Sequence, residues 1–270
     1  MKLSLGLSPR DYSVGGGVTY DTDAQAYFTA NTAITSAADK NAINTFYLGL
    51  KTDGVYTKIK AMYLPIWGTA ASSKWNLVNP LDTDAAFRLT FATGMTFTSS
   101  GMTSNGTSGY ADTFYNQIAQ SMNLNSNHLS YYSRTSNTGS NWEIGCTNLS
   151  PDQHFNFALN YLGTAYYSHN QAGFNTLTPL ATTGLYMSSR TASNLTKFYR
   201  NGTSISSVNF TPLTGINRNV WICGRNSNLT KLYSNRQCSF ASIGDGLTDT
   251  DASNFYTRLN TLMTYFGINV

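Results

Sequence analysis

The chain has 270 residues, only 11% of them charged, and its net charge of +4 comes from lysines and arginines scattered without a basic run. That balance argues against nucleic-acid binding through a basic stripe, and no stretch is apolar for long enough to cross a membrane. Tyr (18), Phe (14) and Gly (22), together with many Ser, Thr and Asn, suit strands joined by polar turns.

Residues 1–20, ending in the Gly15-Gly-Gly17 run, have no amphipathic period and too few apolar residues to fold alone. They read as an arm, either a disordered tail, the commoner case, or an extended segment that becomes ordered against a partner subunit, with Leu7, Arg10 and Tyr12 as the side chains it would offer. Met1-Lys-Leu-Ser-Leu-Gly-Leu is followed at once by Ser-Pro-Arg-Asp, which is no signal h-region, so folding in a cytoplasm is expected. Residues 21–55 read as a short helical lead-in. Asp21-Thr-Asp23 caps Ala24 to Asn31, and Ser36 with Asp39 caps a second helix whose apolar face is Ala42, Ile43, Phe46, Tyr47 and Leu50 and which Gly54 ends.

From Thr57 the period changes to two. Ile59, Ala61 and Tyr63 alternate with Lys58, Lys60 and Met62 until Pro65. Further strands are expected at 74–77, 87–91, 109–114, 127–134, 142–146, 155–159, 165–169, 184–190, 197–200, 205–208, 220–224 and 239–243, with no helical pattern between them. Asn201-Gly202 can take the positive φ angles of a two-residue hairpin turn. After Gly244-Asp245-Gly246, Thr248 and Asp251 start a closing helix, and Ala252, Phe255, Leu259, Leu262, Met263 and Phe266 form one stripe that Gly267 ends. That stripe needs an apolar surface to lie on, so residues 56–270 read as a mainly β sandwich closed by a C-terminal helix.

Three blocks in fixed order, Lys197-Phe-Tyr-Arg-Asn-Gly-Thr, Val220-Trp-Ile-Cys-Gly-Arg-Asn and Phe240-Ala-Ser-Ile-Gly-Asp-Gly-Leu-Thr-Asp, resemble the last third of concanavalin A-like jelly rolls, above all laminin G-like and pentraxin-like domains. With the helical lead-in and the blocks Asp84-Ala-Ala-Phe-Arg-Leu and Asn127-His-Leu-Ser-Tyr-Tyr-Ser-Arg, the chain is similar to a group of bacteriophage virion proteins. The resemblance implies a jelly-roll sandwich of two antiparallel sheets, one bearing the C-terminal helix on its outer face and the other open as a groove. It also implies a structural virion protein of a capsid protrusion, head fibre or tail, made in the host cytoplasm. Its expected partners are other virion proteins and host-surface polysaccharide, and it would be a homo-oligomer, trimers being usual for such parts.

The residues speak for binding more than for cleavage. Glu143 is the single glutamate, so the paired acids of a strand-borne glucanase motif are missing. Asp82 and Asp84 alternate, yet they follow Pro80 in a turn where Asp commonly caps. His128, His154 and His169 come without a nucleophile elbow or a ligand pair, and Cys146, Cys223 and Cys238 have no metal-ligand spacing and form at most one bridge. No cofactor or metal is expected. Tyr131, Tyr132, Arg134 and Trp142 bracket one polar loop and supply flat rings and a guanidinium for a sugar, although alternation sends Tyr131 and Tyr132 to opposite faces. The other readings are a glycan-degrading enzyme on the same scaffold and a purely architectural subunit whose groove is filled by its own loops or a neighbour.

Overall fold

In a computed structural model that describes residues 19–139, 141–178 and 181–270, the chain forms three layers, with helices over one sheet and that sheet over a second. The arm residues Leu7, Arg10 and Tyr12 lie outside the described residues. Two helices come first, α1 (Thr22–Ala30) and α2 (Ala37–Thr52), started by the Asp21 and Ser36 side chains, which accept from the N–H groups of Asp23 and Asp39. Strand β1 (Ile59–Tyr63) follows, then a helical turn α3 (Ala70–Ser73).

The strands continue as β2 (Thr90–Phe91), β3 (Met95–Thr98), β4 (Gly101–Ser104), β5 (Ala111–Asn116), β6 (Asn127–Ser133), β7 (Ile144–Leu149), β8 (Asp152–Tyr161), β9 (Thr164–Gln171) and β10 (Asn175–Leu177). After them come β11 (Gly184–Ala192), β12 (Leu195–Arg200), β13 (Thr203–Val208), β14 (Asn219–Ile222), β15 (Gly224–Ser227), β16 (Leu232–Tyr233), β17 (Cys238–Gly244) and the last helix α4 (Asp249–Tyr265).

The first sheet runs β13-β12-β11-β6-β17-β4-β3, with β1 also paired to β17; the second runs β10-β9-β8-β7-β14-β5-β2, with β15 on β7. Among the described residues the pairings between these strands are antiparallel except the short β15–β7 contact. Alternation sorts the side chains. Leu129, Tyr131, Tyr186, Phe198 and Ile243 point from the first sheet into the space between sheets, where they meet Ile144, Phe155, Phe157 and Tyr167 of the second. Tyr132, Met187, Tyr199 and Phe240 point the other way, under the helices.

The closing helix finds its surface there. Phe255, Leu259 and Leu262 are buried, and Phe255 meets Phe240 edge-on at 5.7 Å. Thr248 and Asp251 form a capping box, each accepting the other's backbone N–H. The preceding turn is close-packed: a Cβ on Gly244 would run into the Lys58 carbonyl, and one on Gly246 into that of Arg190. Asn201 and Gly202 take φ of 50° and 76°, as the hairpin between β12 and β13 requires.

Several expectations are corrected. The segment 74–77 is not a strand, because the buried Asn76 side chain accepts from Met62 N–H and donates to the Ala86 carbonyl where a ladder neighbour would. The turn α3 and the hairpin of β3 and β4 were not expected. The outer face of the second sheet is no open groove where β7 and β8 run: Thr147, His154, Asn156 and Ala158 are buried there, and Phe174 lies over His154 with ring centres 3.8 Å apart. Cys146, Cys223 and Cys238 are all buried and free, Cys223 between strands and not within one.

Candidate functional site

The four aromatic and basic residues singled out in the sequence do not share a face. Strand β6 is central in a sheet covered on both sides, so its side chains are buried whichever way they point. Tyr131 lies between the sheets, its hydroxyl donating to the Arg236 carbonyl at 2.7 Å; Tyr132 lies under the helices, its hydroxyl accepting from Val270 N–H at 2.9 Å. Arg134 clasps the last residues, donating from Nε to the Ile268 carbonyl (2.9 Å) and from Nη1 to Gln237 Oε1 (3.0 Å). Trp142 is 3% exposed, beneath the Arg225 guanidinium at 4.4 Å and against Phe174 at 5.1 Å. A stacking platform of Tyr131, Tyr132 and Trp142 is therefore ruled out by burial.

The carboxylates weighed for catalysis are engaged elsewhere. Glu143 is fully buried, 2.6 Å from Arg236 Nη1, and accepts also from Ser234 Oγ and Leu159 N–H. Arg236 Nη2 donates in turn to the carbonyls of Asn137 (2.8 Å) and Asn160 (3.1 Å), so this pair ties loops to the second sheet. Asp82 sits between Lys74 (2.5 Å) and Arg88 (2.9 Å), whose hydrogen bonds hold its carboxyl below the usual range; Arg88 also takes Asp84. His128 is fixed between Ser242 Oγ and the Asp245 carbonyl, and burial pushes it down to about 4.

A more open arrangement stands at the end of α1. Two of the four tryptophans flank the segment Trp67-Gly-Thr-Ala-Ala-Ser-Ser-Lys-Trp75. Gly68 takes a φ of +77°, and Thr69 then caps α3 by accepting from Ser72 N–H at 3.2 Å. The two half-buried indoles, the residues Ala30 to Ala33, and Thr69, Ser72 and Lys74 line a groove of about 390 Å3. Trp67 is held by its indole N–H, which donates to Tyr27 Oη at 2.8 Å; Asn31 Nδ2 donates to the same oxygen (3.2 Å) and to the Ser72 carbonyl (2.9 Å).

Burial raises the Tyr27 phenol well above its ordinary pKa, so the hub of this network stays protonated. Asn31 is 1% exposed, and its Oδ1 has no hydrogen-bond partner among the described residues. Lys74 Nζ lies 4.8 Å from the Trp75 ring centre. The groove thus presents flat apolar rings, hydroxyls and a lysine paired with Asp82, while no carboxylate among the described residues lines it. That set can hold a polyhydroxylated ring and has no acid or base pair with which to cleave one. Sequence reasoning missed it, although two tryptophans around a Gly, Ser and Thr run without any period were the available signal.

The fold is a jelly-roll sandwich. No protein-family model matches the chain, and no curated protein matches it by sequence. Among solved structures it is similar to a Trypanosoma rangeli sialidase in complex with 2,3-difluoro-KDN, with a TM-score of 0.54 and 9% identity over 83% of this chain and 40% of the sialidase. It is also similar to domain 4 of AbnA, a GH43 extracellular arabinanase from Geobacillus stearothermophilus, solved in complex with arabinotriose, with a TM-score of 0.50 and 12% identity over 73% of this chain and 98% of that domain. The chain spans about two fifths of the sialidase's length. At such identities the likeness bears on architecture alone.

Proposed function

We propose that the chain is a carbohydrate-binding module whose site is the Trp67–Trp75 groove, carried on a bacteriophage particle and directed at host-surface polysaccharide. The observation that carries the binding reading is the pair of half-buried indoles, Trp67 and Trp75, that line one groove with Thr69 and Lys74. A pyranose ring can lay its apolar face on an indole while its hydroxyls meet the polar side chains beside it. Domain 4 of AbnA was solved with arabinotriose on a sandwich of this kind; that supports the reading by architecture only. The virion placement and a homo-oligomeric, trimeric state rest on the sequence resemblance.

The test is titration calorimetry of the chain against host polysaccharide and its oligosaccharides. Trp75→Ala is expected to weaken binding at least about tenfold, or about 1.4 kcal/mol, while leaving the melting temperature close to that of the parent. Unchanged affinity in Trp75→Ala would remove the groove from the account. The architectural alternative is favoured by the loops already covering part of the second sheet; it stands if purified particles contain the chain and no glycan binds.

A further inference from the structure

Among the described residues two arginines are fully buried, and their surroundings differ in a way that points to a ligand. Arg236 faces Glu143. Arg190, on the inner face of β11, has only neutral partners: Nη1 donates to the carbonyls of Ala192 (3.4 Å), Ser193 (3.1 Å) and Phe210 (3.1 Å), and Nη2 to that of His169 (3.4 Å). The Phe210 ring lies 4.2 Å from the guanidinium carbon. Burial alone pulls Arg190 down to about 10, with no carboxylate acting against it.

The polar atoms nearby are equally unserved. Arg190 Nε, Ser188 Oγ and Thr196 Oγ1 have no hydrogen-bond partner among the described residues, the His169 imidazole faces the Ser188 backbone, and all four side chains are buried. Topology brings them together. Thr196 stands opposite Arg190 in the β11–β12 ladder, Ser188 shares Arg190's face of β11, and His169 projects from β9 in the other sheet, the strand whose carbonyl Arg190 reaches. Asn127, opposite Arg190 on β6, adds one unpartnered acceptor, Oδ1.

An isolated buried charge is costly, and each buried hydrogen bond left unmade adds to that cost, so a cluster with this many is satisfied by something the chain does not supply. Burial, with Arg190 beside it, keeps the His169 imidazole neutral, so the cluster carries one net positive charge and offers N–H and O–H donors on several sides. We propose that His169, Ser188, Arg190 and Thr196 enclose a binding site for a small monovalent inorganic anion, chloride in size, between the two sheets. It is independent of the glycan groove, which lies at the end of α1.

The experiment compares thermal melts of the full chain in sodium chloride and sodium gluconate at matched ionic strength, and locates bromide by anomalous scattering in crystals. A ligand that binds only the native state raises the melting temperature with the logarithm of its concentration. Chloride and bromide are expected to raise it and gluconate to leave it flat, with a bromide peak within hydrogen-bond distance of Arg190 Nε. Thr196→Val, nearly the same shape without the hydroxyl, should lose at least half of the chloride slope, and Ser188→Ala should act likewise. Arg190→Met should abolish the slope if it folds; the two smaller variants decide the matter if it does not. Equal melts in chloride and gluconate, or only ordered waters in the cluster, would overturn the proposal.

Discussion

The two sheets are covered in opposite ways on their outer faces. Over the first sheet lie α1, α2 and α4, and the contact is apolar: Phe255, Leu259 and Leu262 on Phe240, Tyr132 and Met187. Over the second lie chain connections held by mixed contacts, Phe174 on His154 and Arg225 on Trp142, with the buried Glu143–Arg236 pair anchoring the loops beside them. The first cover comes from burying area, which tolerates adjustment. The second depends on a few polar contacts that lose their value when one partner goes.

The largest expected effect follows from that difference. Glu143→Gln leaves Arg236 charged and buried without a counter-charge, and should cost about 3–5 kcal/mol in urea unfolding. Replacing both partners by Leu and Met should restore much of it, and a double variant as unstable as the single one would break the contrast. On the helical side, Leu259→Ala should cost about 3 kcal/mol through lost burial and the cavity left behind. A change under about 1 kcal/mol would mean that the helix is a loose cover.

Acid sharpens the comparison further. Burial lowers His128, on the helix-covered face, to about 4, so between 6.5 and 4 the unfolded chain takes up a proton that the native fold refuses. Stability should therefore fall by about 3 kcal/mol as pH drops through that window. His154, on the other face, is lowered by burial too, but Asp152 at 2.7 Å works against the shift. Urea titrations from pH 6.5 to 4 should show His128→Gln flattening the acid slope more than His154→Gln does.

What could be read from the sequence follows the same division. The caps at Asp21, Ser36 and Thr248, the stripe from Ala252 to Met263 and the Asn201-Gly202 turn are local signals, and each is seen in the structure. The β3–β4 hairpin escaped because each strand is only four residues long: Met95-Thr-Phe-Thr alternates over too short a run, and Gly101-Met-Thr-Ser is buried without an alternating apolar pattern. The segment 74–77 misled because its apolar residues pack beside β1 through Asn76 instead of through a ladder. Burial on both faces of β6 was also hidden, since alternation tells which side a tyrosine faces and not whether that side is covered. The groove was illegible for another reason: Asn31, Trp67 and Trp75 come from a helix end and a loop with no common period.

One feature of the first sheet reaches back to how the protein is made. Strand β17 lies in the middle, against β6 on one side and β1 and β4 on the other, although it leaves the ribosome long after all three. Until it emerges, β1 and β6 hold unpaired edges, and the surface destined for α4 is bare. The nascent polypeptide must therefore wait, shielded from its neighbours, for a late central piece that locks the early ones in place.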